Sequence, residues 1–173
     1  IDAARMNLVR ACVNGDLDYL KRVLVDGEGV LPSIEKTCTF HKGYFDDFEQ
    51  LVGTAESLGL VGIASVTASM SSLTWLLDNG VSPCIGASPY LSTKSKAARN
   101  LLRRYWSMHP LMYDYAAAGI PSPMTDEDVA REAEKKRRER MKKRDKKDQK
   151  TEAAKTPEVR AREARAASAE FHL

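Results

Sequence analysis

Only a few places in this sequence hold residues whose types and spacing could do chemistry. Cys38 and His41, with two residues between them, have the spacing of half a zinc site. Zinc needs four ligands, and no second pair stands nearby, so the two residues read as a loop coincidence. The histidines are His41, His109 and His172, too scattered to complete a set. Asp46, Asp47 and Glu49 offer three carboxylates to a hard cation, but without the glycine-centred spacing of a calcium loop they read as a solvated helix start. No glycine loop that could cradle a phosphate and no nucleophile motif is present. The sequence therefore predicts no catalytic residue, no metal ligand, no cofactor and no small-molecule ligand in this chain.

What remains is binding chemistry, and it lies near the C-terminus. Arg160 and Ala167 are seven residues apart, two helical turns, and so fall on nearly one face of a helix. Ala166 and Ala167 form a flat patch that lets a helix backbone approach a groove closely, while Arg160 could bond bidentately to an acidic group at its rim. Upstream, Lys142, Lys143, Lys146 and Lys147 lie within Lys135–Lys150, which has 11 basic residues against 3 acidic. Such a run suits phosphates, ribosomal RNA among them. It contains no aromatic residue, so it offers no base stacking, and its interleaved acids dilute the field.

These residues must be carried by helices. Thr125-Asp126-Glu127 is a helix start, with a capping Thr and acids at the positive end of the dipole. Apolar residues are then almost absent to Lys150, and Glu127–Arg131, Glu132–Lys136, Glu134–Arg138 and Glu139–Lys143 form acid-first pairs four apart. With no a/d stripe, this reads as a solvated single helix and spacer arm, not a self-pairing coiled coil. Thr156-Pro157-Glu158 starts a final helix, with Pro in its first turn.

The N-terminal part is a different object. Leu8, Val9 and Cys12 recur at helical spacing before Asn14-Gly15; Leu17, Leu20, Val23 and Leu24 follow before Asp26-Gly27. The pattern returns with an apolar run from Leu58 to Met70 and a stripe of Leu73, Leu76 and Leu77 ending at Asn79-Gly80. Helix–turn–helix packets that recur and cannot bury themselves alone signal a stacked array. Ser95–Met108 reads as a capping helix, with Leu101, Leu102, Tyr105 and Trp106 inward and Arg99, Arg103 and Arg104 outward.

The predicted class is all-α. The predicted divisions are a repeat domain at 1–109 with an elaborated loop at 28–57 that includes a short helix at Phe45–Leu51; a stiff Pro-containing linker at 110–124; a charged helix at 125–155; and a partner-binding helix at 156–173. Charge follows the same division. From Thr125 onward there are 16 basic and 12 acidic residues, leaving 11 and 12 for the rest, so the net charge of +3 originates in the tail. Three widely spaced cysteines, Cys12, Cys38 and Cys84, do not make a disulfide framework and fit a reducing cytoplasm. No segment has the apolar length of a membrane span. The absence of an initiator Met suggests a fragment or processed product.

Two of these packets, Asn14-Gly15-Asp16 with the helix after it and Leu73 to Cys84, resemble second halves of ankyrin repeats, in which a leucine helix ends at Gly before a β-hairpin finger. The Thr-Pro-Leu-His turn of that family is replaced by Gly59-Leu60-Val61-Gly62-Ile63, so the array is a degenerate one. Arg160, five spacers and Ala166-Ala167 resemble the valosin-containing-protein-interacting motif, which binds the N domain of that AAA ATPase; its second arginine position holds Glu170. Arg99, Tyr105, Pro110, Asp114-Tyr115, Pro121, Pro123 and Met124-Thr125 are landmarks of a stretch similar to the ankyrin-repeat and zinc-finger peptidyl-tRNA hydrolase family of ribosome-associated quality control. The resemblance runs from Ala3 to the C-terminus and is weakest over 28–57. It implies a tRNA hydrolase or endonuclease whose release-factor-like catalytic domain and zinc finger lie outside this chain. It also implies the 60S ribosome or a stalled nascent-chain complex as partner of that whole protein.

Overall fold

The computed structural model describes residues 2–29, 31–54 and 56–170, the side chains of 169 and 170 apart. It is all-α: among the described residues two isolated antiparallel bridges are the only extended pairings. The chain divides into two compact units, 1–125 and 126–173.

In the first unit, α1 (Ala3–Asn14) and α2 (Leu17–Leu24) are joined by two residues, and these and the last residue of α1 each have a task. Asn14 ends α1; Gly15 takes the left-handed conformation (φ 75°) and returns its N–H to the Ala11 carbonyl; the Asp16 carboxylate caps α2 by accepting from the Tyr19 N–H at 3.0 Å. A side chain at Gly15 would also meet Ser71 Oγ, so the tight turn is fixed by its neighbour as well. The next hairpin repeats the arrangement with α4 (Leu60–Val66) and α5 (Met70–Asp78). At its equivalent turn Ala68 holds the positive φ, 54°.

The hairpins stack in register: α1 packs on α4, and α2 on α5. Each hairpin alone would expose a leucine stripe, and stacking buries Leu8, Val9, Cys12, Leu20 and Leu24 against Leu60, Ile63, Leu73, Leu76 and Leu77. Removing each such side chain from water is worth about 1.5–3 kcal/mol. Helix α4 is buried at every position from Leu60 to Ser65, which accounts for its small residues Gly62, Ala64 and Ser65. Below it, α6 (Pro89–Ser92) packs on α4, and α7 (Lys96–Met108) on α5. The helix expected as a simple cap is thus the second helix of a third, shortened hairpin. The Thr93 hydroxyl ties the layers by donating to the Ser65 carbonyl at 2.6 Å.

Between α2 and α4 the chain makes α3 (Pro32–Lys36), a 3-10 turn at Lys42–Tyr44 and a series of turns. The helix expected at Phe45–Leu51 is absent: Phe48 and Leu51 donate three residues back, to Phe45 and Phe48, so the chain closes turn by turn. Phe40, Phe45 and Leu51 are fully buried and pin the loop to the core. Leu58 exchanges both backbone hydrogen bonds with Phe40 and bridges to Gly86 on its other side, so the loops leaving successive hairpins lie edge to edge.

The expected linker at 110–124 is also different. Tyr115, Ala118, Ile120 and Met124 of that stretch are buried. Trp106 and Tyr115 stack with ring centroids 5.3 Å apart, and the Tyr113 hydroxyl donates to the Leu77 carbonyl. Arg103, expected on the outer face of α7, instead clamps the return segment, its Nε donating to Ser122 O at 3.1 Å and Nη2 to Ser122 Oγ at 3.2 Å. Pro121 and Pro123 stiffen the chain, but the four buried side chains around them dock it on the body, an outcome the prolines alone could not signal.

The second unit consists of α8 (Asp126–Ala154) and α9 (Pro157–Glu170). Among its described residues none is buried. Along α8, Glu132–Lys136 (3.9 Å) and Glu134–Arg138 (3.0 Å) form i,i+4 pairs, while Arg131 turns to Asp128 (3.9 Å). At 29 residues α8 is about 43 Å long. No helix among the described residues is long and apolar enough to cross a membrane.

Candidate partner-binding helix

Helix α9 exists where it does because of Pro157. Proline disfavours the α conformation in the residue before it, so α8 cannot run through Thr156, and its fixed φ suits the first turn of a new helix. The chain leaves α8 after Ala154, passes Lys155 and Thr156, and re-enters a helix whose first bond runs from Arg160 N to Thr156 O at 3.1 Å.

Side chains close this elbow. Lys155 Nζ lies 3.1 Å from Glu152 Oε2 and 2.7 Å from Glu163 Oε2, joining the last turn of α8 to the second turn of α9. Its hydrogen bonds to Glu163 and then Glu152 hold the ammonium above its usual pKa. Arg160 Nη2 donates to the Glu152 carbonyl at 2.7 Å, satisfying one of the acceptors that α8 leaves open at its C-terminus. Glu152 is therefore the hub: its carboxylate holds Lys155, and its carbonyl accepts from both the Lys155 N–H (3.2 Å) and Arg160.

The residues singled out in the sequence are placed as follows. Arg160, Ala166 and Ala167 are all exposed on α9; the helical period puts Arg160 and Ala167 on nearly one face and Ala166 to its side. The side chain of Glu170 and residues Phe171–Leu173, His172 among them, lie outside the described residues. Lys142, Lys143, Lys146 and Lys147 are exposed on α8, in two pairs one turn apart. Cys38 Sγ donates to Thr39 O at 3.6 Å, and His41 Nδ1 accepts from Gly43 N at 3.2 Å, capping the 3-10 turn. Asp46, Asp47 and Glu49 are exposed, and no cluster of three potential metal ligands occurs among the described residues. Sequence reasoning missed Glu152, Lys155 and Glu163. Their signal was present: a Glu-x-x-Lys pair immediately before a proline helix start.

Three curated relatives match the chain, each called tRNA endonuclease ANKZF1. The human protein is 34% identical over 84 residues, 46% of this chain and 12% of its own length. The bovine protein is 29% identical over 136 residues, covering 75% of this chain, and the mouse protein is equally similar over 76% of it. The chain spans about 17% of the length of each of the latter two. No protein-family model matches the chain, and no solved structure does. By these matches the chain is related to the ANKZF1 family.

Proposed function

We propose that this relative of the tRNA endonuclease ANKZF1 is a protein-interaction region, a stacked-helix body of degenerate ankyrin type whose α8 projects α9 toward the N domain of the valosin-containing AAA ATPase. The whole protein to which such a region belongs would hydrolyse peptidyl-tRNA or cleave tRNA in the cytoplasm, in ribosome-associated quality control, with the 60S ribosome or a stalled nascent-chain complex as its partner. Recruiting an ATPase there would couple extraction of the stalled chain to its release from tRNA.

One observation carries this reading. Helix α9 presents Arg160 and an alanine pair on an exposed surface, at the end of a helix with no buried residue. A helix of this kind gains little by packing on its own unit, and its flat alanine surface with one fork-shaped donor fits a groove with an acidic rim. The stacking of three helix pairs supports the ankyrin-type body. The test is calorimetric titration of the ATPase N domain with the full chain. Arg160→Ala should weaken binding about tenfold or more, since a charge-assisted hydrogen bond contributes roughly 1.5–3 kcal/mol. Equal affinity for the two chains would remove the assignment.

A second reading rests on the exposed lysines of α8. If the arm contacts ribosomal RNA, affinity falls steeply with salt, and neutralising Lys142, Lys143, Lys146 and Lys147 flattens that dependence. Salt-insensitive ribosome association would exclude it.

A further inference from the structure

The arginine proposed to recognise the partner is not idle in this structure. Its Nη2 holds the Glu152 carbonyl at 2.7 Å. Glu163, three residues further along α9 and on the same side as Arg160 and Ala167, is held by Lys155 at 2.7 Å. The face of α9 that carries the recognition residues is thus the face that fastens α9 to the end of α8. We propose that the α8–α9 elbow regulates this site: closed, it keeps Arg160 on the α8 terminus, and a partner with an acidic rim engages only after Arg160 exchanges the carbonyl for a carboxylate and the elbow opens. This rests on the reading of α9 as the ATPase-binding helix.

The charged side chains that fasten the joint all keep part of their surface in water, which sets the character of the device. Lys155 keeps 29% of its side-chain surface and Glu163 55%. Exposed ion pairs of this kind are weak and screened by salt, so the elbow is a light gate rather than a lock. The exchange is favourable because a guanidinium bonds more strongly to a carboxylate than to a neutral carbonyl. On opening, Glu152 would lose its cation; Glu158 in the first turn of α9, Lys150 and Arg162 are further charges close by along the chain. Neutralising Glu163 therefore weakens the closed form without touching Arg160 or the alanine pair.

The experiment uses the full chain with Cys38 and Cys84 changed to Ser, and spin labels at Lys143→Cys and Ala164→Cys. Without partner, Glu163→Gln should broaden the interlabel distance distribution, as should raising salt to about 1 M. With the ATPase N domain, Glu163→Gln should tighten binding about two- to fivefold, the range expected for releasing an exposed ion pair. Arg160→Ala in the Glu163→Gln background should abolish that gain. A distance distribution indifferent to Glu163→Gln and to salt would overturn the elbow, whatever binds. An elbow that opens with no gain in affinity would overturn the regulation and leave the partner reading standing. An elbow that opens while no variant binds the N domain would bring down the partner reading, and the regulation with it.

Discussion

Helix α4 has seven residues and α8 has 29, yet the short helix is the better secured. Isolated helices shorter than about 12–15 residues are marginal in water, so α4 persists because hairpins pack against it on both sides. Helix α8 must do the reverse. With no buried residue, it depends on propensity, acids in its first turn and ion pairs along its length. The same backbone conformation is thus held cooperatively in one unit and residue by residue in the other. Perturbations should separate the two.

The largest separation should come from a core leucine. Leu76→Ala, at a fully buried position of α5, should cost about 2–5 kcal/mol through lost transfer energy and the cavity left behind. Met141→Ala in α8, at a position 54% exposed, should stay within about 0.5 kcal/mol. Trp75 and Trp106 both lie in the first unit, so their fluorescence in a urea titration reports that unit alone, while far-ultraviolet ellipticity reports both. A cooperative fluorescence transition inside a broader, sloping ellipticity change is expected. Coincident curves would show that the units do not differ in this way.

Alkali should act next, and on one unit only. Burial pushes the Cys12 thiol up from 9.0 to about 12 and, with help from Tyr115 and Asp78, the Tyr113 hydroxyl from 10.0 to about 12. Tyr105 is raised as well, by burial and by its hydrogen bond to Asp78. All three are raised above their unfolded values. Their neutral forms therefore contribute stability that is complete below about pH 9 and lost as pH climbs through about 12. The first unit should unfold in that window, with tyrosinate absorbance rising together with the loss of tryptophan fluorescence. Tyr105→Phe and Tyr113→Phe should each remove part of the tyrosinate rise that accompanies unfolding; an unchanged rise at that step would show that these hydroxyls are not shielded.

What the sequence made legible follows the same division. The two hairpins were readable because their leucines keep a helical period and their ends are marked by Asn14-Gly15 and Asn79-Gly80. Helix α8 was readable because nothing in it competes with its charge pairs. The 110–124 segment was less legible, since Pro121 and Pro123 announce stiffness but not that Tyr115, Ile120 and Met124 will be buried; that is a tertiary fact. Helix α6 was passed over because four residues carry no period. At the candidate site, Arg160 and the alanine pair could be found by spacing. Their tether through Glu152, Lys155 and Glu163 depends on the direction taken after Pro157, which spacing does not give.

A smaller effect lies in the turn between α4 and α5. Ala68 sits at φ 54°, where its equivalent in the first hairpin is Gly15. An L-residue in the left-handed region costs about 1–2 kcal/mol, part of which is regained because alanine is less free than glycine when unfolded. Ala68→Gly should therefore stabilise the first unit by up to about 1 kcal/mol, visible as a higher urea midpoint by fluorescence. Ala68→Val should lower it. Two midpoints that do not move would mean that the turn is relaxed.

The smallest effect should be confined to the tail. The Glu134–Arg138 pair, at 3.0 Å, is tighter than Glu132–Lys136 at 3.9 Å, and an exposed pair of this type contributes about 0.3–0.5 kcal/mol at low salt. Glu134→Gln should lower the ellipticity of the tail by a small, measurable amount at about 10 mM salt and by almost nothing at 1 M, where the wild-type pair is already screened. The tryptophan transition should be unaffected at either salt. A helix held by one cooperative core would respond everywhere to such a change. A helix held one pair at a time should lose only the turn that contains the pair, so backbone amide exchange should quicken around residues 131–141 while the ends of α8 keep their rates. Quickening along the whole of α8 would mean that this helix, too, is held as a single cooperative unit.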